Sequence, residues 1–521
     1  MIIVDWGTPM KRIAFAIMIV TVLSKVLGFA RQVALSYFYG ASTVTDAYLV
    51  SLTIPTVIFA VIGAGIGTGF IPMYSRIKYE QGPSAADRFT SNLISIVLAI
   101  CTVIAVWGLV FTKPLVRLFA SGFHGETLKM TVQFTRISIF AIYFTGLTGI
   151  ITGYLRLHGS YLIPNVTGLP MNCIAILSVA LSSVTNVYVL LIGTLVARAA
   201  ELLFMVPFAK RKGFRFQTAF DLKDDNLHQM IHIAVPVIIG TSADQINVLV
   251  DRTLASEIAV GGISALNYAS RLAGFVQGLF VLSISSVMYP MISKMASEHN
   301  MKGLKGSLSE AIGLINLMVV PTTIGAVIFA EPIVTFLFGR GAFTSEAVIM
   351  TSAALRFYSL GMLAFGLREV LSRAFYALQD TRTPMVNGAI AVVINIVLNL
   401  ILSRYLGIGG LALATSFSGL VATLLLFVTL REKIGGFGMK TVFSSFCKIS
   451  VASLVMGVIA RSLYHYVGAT TTNKALILAI GTGAVAYFIL VYLLRVPEVE
   501  RTLVAVRQRV LRRKTRETGA E

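Results

Sequence analysis

The residues of this chain that could do chemistry are the few charged ones set inside long apolar runs. Lys25 and Arg31 stand six positions apart in the first run, and Asp46 opens the second. Arg271 lies in Asn267-Tyr268-Ala-Ser-Arg271, and Arg368, Glu369 and Arg373 share a later run. A charge in hydrocarbon costs several kcal/mol unless it meets a partner or a wet cavity, so each such residue is a functional candidate by default. Arginine presents a planar fork that grips phosphate oxygens in pairs and keeps its proton. A set of such cations would attract a pyrophosphate and repel a cationic drug. Pairing with Asp46 and Glu369 as plain ion pairs is the competing expectation, and it weighs most on Arg368 and Arg373.

A second group is neutral but for one carboxylate. Asp244 sits in Ser-Ala-Asp-Gln-Ile-Asn, Asn395 and Asn399 are one helical turn apart, and Thr415 follows. One carboxylate with amide and hydroxyl oxygens suits a hard monovalent cation, Na⁺ rather than Ca²⁺. Hydrogen bonding between helices is the alternative for these residues. No organic cofactor is expected.

These residues need a membrane scaffold. Hydrophobic residues make up 56% of the 521-residue chain and charged ones 13%, about half the charge of a soluble protein. Apolar runs of about twenty residues recur from end to end, too long and continuous for barrel strands. The fold class expected is an all-α polytopic membrane protein with about fourteen transmembrane helices. The first run lacks a small-x-small cleavage site and is read as a span, not a signal peptide. Cys101, Cys173 and Cys447 lie in or beside spans and imply no disulfide framework.

The chain also repeats itself at an offset of about 220 residues. Phe111-Thr-Lys-Pro114, ending in Ser-Gly-Phe123, is echoed by Phe329-Ala-Glu-Pro332, ending in Gly-Ala-Phe343. Pro72-Met-Tyr-Ser-Arg is echoed by Pro290-Met-Ile-Ser-Lys. Six spans per copy predict two lobes in parallel orientation about a pseudo-twofold axis, facing across a cleft. The lobes are assigned to residues 1–220 and 221–434. Two further spans occupy 435–496, and a basic amphipathic tail occupies 497–521. Ser51 is the approximate repeat counterpart of Arg271 and joins the candidate substrate-binding set.

The net charge of +20 reads mainly as a topology signal. Lys210, Arg211, Lys212, Arg215, Lys294, Lys302, Lys305, Arg431 and the tail fall on one side, which places both termini in the cytoplasm. A nucleic-acid partner is thereby disfavoured. Three patterns are traps. Gly63-Ala-Gly65-Ile-Gly67-Thr-Gly69 lies within an apolar span, so it is no dinucleotide loop. His228 and His232 stand one turn apart and are read as an interfacial helix face, not a metal site. Asp224-Asp225 alone makes no metal-diphosphate site.

Leu27-Gly-Phe-Ala-Arg31, Thr45-Asp46-Ala-Tyr, Asn267-Tyr268-Ala-Ser-Arg271-Leu, Phe338-Gly-Arg-Gly-Ala-Phe343 and Ala374-Phe-Tyr-Ala-Leu-Gln-Asp380-Thr-Arg-Thr-Pro384 together resemble the MurJ (MviN) lipid II flippases, from about residue 10 to 495. That family belongs to the superfamily of multidrug, oligosaccharidyl-lipid and polysaccharide exporters. The resemblance implies transport of undecaprenyl-pyrophosphate disaccharide-pentapeptide from the inner to the outer leaflet of the bacterial cytoplasmic membrane, in peptidoglycan biosynthesis. It implies that Arg31 and Arg271 bind the pyrophosphate and sugar head and that Asp46 is a functional acid beside them. Lys25 stands where some members have arginine. The last two spans are similar to those that form a lipid-tail groove. Asp244, Asn395, Asn399 and Thr415, with the carbonyl of Leu411, match a sodium site of the family, and Asn399 stands where a carboxylate can occur.

One stretch departs from the pattern. Some members carry an arginine pair and an acid early in the second span, where this chain has the uncharged Ile54-Pro55-Thr-Val-Ile-Phe. Either the remaining cations suffice, or Arg373 compensates, or the substrate differs. The chain shows no nucleotide-binding motif, so turnover must draw on ion gradients, membrane potential or substrate supply. A flippase for another polyprenyl-pyrophosphate glycan, including a spore-cortex relative, stays open. A drug exporter would want an acidic cavity, and a polyprenyl-phosphate transferase would need clustered carboxylates at a cytoplasmic surface. Cell-wall synthesis or division machinery is a possible partner, and an inert scaffold there would tolerate loss of the cavity charges.

Overall fold

A computed structural model describes residues 9–468 and 472–500, and among them every regular element is helical. The basic tail from 501 to 521 lies outside the described residues. Among the described residues twelve helices are long and apolar enough to span a membrane, and thirteen if one bent pair counts as a span. The helix Arg382–Ile434 contains a break at Gly407 (φ 55°, ψ −133°), a backbone state that glycine alone takes readily. It therefore holds two spans, which brings the count to the fourteen expected.

By backbone contacts the chain divides into two compact units, Met1–Ser264 with Phe338–Ala347, and Ala265–Leu337 with Val348–Glu521. The first unit contains α1 (Pro9–Tyr39), α2 (Thr43–Glu80), α3 (Pro83–Val110), α4 (Thr112–Phe119), α5 (Gly125–Ser138) and α6 (Ala141–Leu157). It continues with α7 (Leu162–Val166), α8 (Gly168–Val184), α9 (Tyr188–Arg211) and α10 (Asp225–Ile258). Its core is a cluster of buried side chains centred on Phe70, Tyr74, Phe89, Ile142, Tyr154 and Met205. α2 crosses this core with Pro55 and Pro72 inside it and Ser42 capping its first turn. α10 bends by 58° between Asp225–Val235 and Gly240–Ile258.

A polar clip fastens the basic loop before α10. The Asn92 side chain donates to the carbonyl of Asp221 (2.8 Å) and accepts from its amide (2.7 Å). Asp224 caps α10 by accepting from the amide of Asn226 (2.9 Å). The acidic pair read as a trap in the sequence is thus a helix cap followed by a first-turn acid.

The second unit contains the rest of α11 (Gly262–Val276), a π-helical turn at Gln277–Val281, α12 (Leu282–Ser297), α13 (Met301–Ile328) and α14 (Ala330–Phe338). α15 (Ser345–Ala377), α16 (Arg382–Ile434), α17 (Met439–Gly468) and α18 (Thr472–Leu493) follow. Ile312, Ile315, Leu371, Phe375 and Leu426 lie in its main core, and α17 and α18 pack on α13 through Leu317, Ile449, Ala452 and Tyr487. The Tyr487 hydroxyl donates to the carbonyl of Leu317 (2.7 Å), satisfying a polar atom that the apolar contact would otherwise strand. After α18 the chain turns at Arg495 (φ 49°) and buries Val496 and Glu498. The Glu498 carboxylate accepts from the Ser445 hydroxyl (2.5 Å) and lies where a Cβ on Gly313 would fall.

Candidate functional site

Asp46 is the most constrained of the charged candidates. It lies in the first turn of α2, where the helix dipole favours an acid, and is 1% exposed. One carboxylate oxygen accepts from the amide of Gly261 (2.8 Å), and the other accepts from the amide (2.8 Å) and the hydroxyl of Ser264. These amides open α11, so one side chain serves the N-termini of two helices 218 residues apart in sequence. Arg252 lies nearby on α10 and donates to the carbonyl of Ile263 (3.1 Å). The acid that the sequence groups with the substrate cations is here a joint between the first repeat and the start of the second.

The joint is part of a larger interlock of the loops that follow odd-numbered spans. The amide of Ala342 donates to the carbonyl of Tyr37 (2.8 Å), and a Cβ on Gly341 would collide with that same carbonyl. The amide of Gly122 donates to the Ser256 hydroxyl (3.0 Å), and a Cβ on Gly122 would collide with the Ser256 carbonyl. Gly341 stands 219 residues after Gly122, and Ser256 stands 219 residues after Tyr37. The two contacts are the same contact seen from each repeat. Thr253 adds a bond to the carbonyl of Leu118 (2.9 Å), and Ser121 adds one to Glu257. Gly261 and Gly40, both with positive φ, pack their Cα atoms against the carbonyls of Ala41 and Ala342. This interlock explains why Phe338–Ala347 groups with the first unit.

The other proposed substrate contacts separate by environment. Lys25 and Arg31 both lie on α1, Lys25 exposed and Arg31 half-buried. Arg271 is exposed on α11, six residues before the π-helical turn, a distortion that tends to mark functional helices. Ser51 is fully buried, and its hydroxyl donates to the carbonyl of Tyr48 in its own helix (2.8 Å). The Ser51 carbonyl accepts from Ser138, so this residue packs α2 on α5. Arg373 pairs with Glu369 one turn away (2.7 Å) and lies over the ring of Tyr289.

Four of the five proposed ion ligands fall in the second unit, and Asp244, exposed on α10, falls in the first. Asn395 is 2% exposed and donates toward Thr415 (3.4 Å) and Ser418 (3.3 Å). Its side-chain oxygen Oδ1 accepts from the Asn399 side-chain amide (2.8 Å), and the Thr415 hydroxyl donates to the backbone carbonyl of Leu411 (3.0 Å). These neutral amide, hydroxyl and peptide groups meet in a hydrogen-bonded cluster without a carboxylate; oxygens of that kind would suit Na⁺ over a divalent ion. Ser418 was not singled out in the sequence, although it stands one turn beyond Thr415 on the same face.

Two repeats of membrane-spanning helices, charged residues on the spans and a glycine interlock between the repeats define a polytopic transporter of the parallel-repeat class. Comparison with known proteins narrows this. Residues 35–482 match the model of the family described as lipid II flippase MurJ, and the chain belongs to that family. It is 26% identical over 478 residues to the probable lipid II flippase MurJ of Buchnera aphidicola subsp. Baizongia pistaciae, covering 91% of each chain. It is 29% identical over 427 residues to the corresponding protein of Treponema pallidum, covering 80% of each. A solved lipid II flippase MurJ in an inward closed conformation superposes with a TM-score of 0.80 at 27% identity, covering 94% of this chain and 99% of that one. An inward-facing multidrug resistance MATE family transporter shares the fold alone, at a TM-score of 0.70 and 16% identity over 81% of this chain and 98% of that one.

Proposed function

We propose that this chain carries lipid II, the undecaprenyl-pyrophosphate disaccharide-pentapeptide, from the inner to the outer leaflet of the bacterial cytoplasmic membrane by alternating access. The observation that carries the reading is the family match across both repeats. The joint at Asp46 supports it, because alternating access needs a contact between the repeats that can be made and broken. Its bonds run from one carboxylate to two amides and a hydroxyl, and water can replace each of them when the loops part. With the termini in the cytoplasm, as the lysine and arginine bias indicates, these odd-numbered loops face outward.

In this reading Arg31 and Arg271, with Lys25, attract the pyrophosphate, and Arg373 is held by Glu369 for structure. Asn395, Asn399, Thr415 and the Leu411 carbonyl would hold Na⁺, with Asp244 as the carboxylate proposed from sequence. The ion would supply a positive charge that moves with the membrane field. An open apolar furrow on α18, lined by Ile477, Leu478 and Val485, supports a lipid-tail role for the last two spans. Cell-wall synthesis or division enzymes are the proposed neighbours.

The test is depletion and complementation in cells. Arg31→Ala and Arg271→Ala should insert normally yet leave lipid II inaccessible at the outer leaflet. Normal accessibility in both variants would refute the cation assignment. Accumulation of a different lipid-linked glycan on depletion would refute the substrate.

A further inference from the structure

We infer a second anion site, in the second unit, that takes the phosphate of a lipid headgroup. A cavity of about 390 Å³ lies among the end of α13, α14, α15, α17 and the start of α18. Arg356 of α15 and Arg461 of α17 line it, with His465 one turn beyond Arg461. Both arginines lie within helices apolar enough to span the membrane, where a guanidinium is costly without an anion. The single carboxylate in the lining is Glu331, which stands 3.7 Å from Arg356 with both side chains at least half exposed. An exposed pair at that distance is weak, and Arg461 is in no ion pair among the described residues. The cavity thus holds more cation than anion.

Its other walls suit the junction of a headgroup with its chains. Tyr464 packs edge-on to Phe329 (5.7 Å, 82°) and presents an apolar floor continued by Leu476. Asn473 supplies a neutral donor at the rim. Two guanidinium forks can take the oxygens of one phosphate pairwise. The cavity opens at the loop end shared by spans nine, ten, thirteen and fourteen, so it serves the leaflet those loops face. None of its charged groups belongs to the transport set, and the inference stands whether or not the proposed substrate is correct.

The test uses the full chain in detergent, with retained lipid read by native mass spectrometry. The probes are phosphatidylglycerol and soluble inorganic pyrophosphate. The wild type should retain phosphatidylglycerol, and Arg461→Gln and Arg356→Gln should each lower its apparent affinity by about tenfold. Glu331→Gln, which removes the competing anion, should raise it. Displacement of the lipid by pyrophosphate would identify the phosphate alone as the group recognised; retention against pyrophosphate would identify the intact lipid headgroup. Unchanged affinity in folded arginine variants would overturn the site. Should those variants fail to fold, unchanged or lowered affinity in Glu331→Gln would overturn it instead.

Discussion

At the scale of single residues, a charge's worth depends on what surrounds it. Asp46 was legible in the sequence as an acid opening a span beside cations, and that placed it in the substrate set. The structure gives it two amides and a hydroxyl on α11, groups 215 and 218 residues away that no local pattern could indicate. Asp46→Ala would strand buried amides of Gly261 and Ser264 and should destabilise the protein by about 2–4 kcal/mol. Thermal unfolding in detergent checks this, and an unchanged midpoint would show that the carboxylate carries no structural weight. Arg373 illustrates the opposite outcome. Its i,i+4 spacing to Glu369 was visible as a possible ion pair, and the structure makes that pair at 2.7 Å because helix geometry alone brings such residues together.

At the scale of elements, two closures stand out. The first is the clasp on α16. Asp380 accepts from the amide (3.0 Å) and hydroxyl (2.8 Å) of Thr383 at the start of the helix and from Lys433 (2.6 Å) near its end. The hydrogen bond from Lys433 is the largest cause that lowers the Asp380 carboxyl from 3.8 to about 2. A carboxyl depressed on folding stabilises fully above its unfolded value and loses that contribution as pH falls through the folded one. Lys433→Gln should therefore lower the thermal midpoint at pH 7, and the gap to wild type should close between about pH 4 and pH 2. A gap that stays constant down that window would exclude the clasp. The second closure is the glycine interlock. Gly341 has φ +64° and meets the Tyr37 carbonyl, so Gly341→Ala should cost about 1–2 kcal/mol in backbone strain alone, with the collision added. Gly125 also has positive φ (+53°) but has open space where its Cβ would lie, so Gly125→Ala should cost only the strain. Equal midpoints for the two variants would show that the close approach is unimportant. The repeat made the Gly122 and Gly341 motifs visible in sequence, but not that each pairs with a loop from the other copy.

At the scale of the whole molecule, an apolar chain fixes where helices go, and loop charge gives their direction. In the proposed function, the neutral hydrogen-bonded cluster on α16 would hold a coupling ion. Asn395→Ala should abolish any Na⁺-dependent rise in thermal stability while leaving the stability measured in choline nearly unchanged. A wild-type protein indifferent to replacing Na⁺ with choline would remove Na⁺ from the mechanism. Asn395 and Asn399 were legible because one-turn spacing puts them on one face. Ser418 joins them only because the break at Gly407 folds the second half of α16 back beside the first. The arginines of the α15–α17 cavity escaped notice for a related reason. They lie on different spans, 105 residues apart, and each reads in the sequence as an interfacial cation.

The sequence by itself determined the class, the number and approximate extent of the spans, the duplication and the family. Each of these rests on composition or on patterns within one stretch of chain, where the bilayer permits a single backbone solution. Only the tertiary structure decided what the buried polar groups do. A carboxylate, an amide or a glycine Cα in apolar surroundings takes its role from whichever distant group satisfies or crowds it. That is why the acid at 46 became a joint between repeats, why the glycines at 122 and 341 became contacts, and why two arginines from separate spans came to share a cavity.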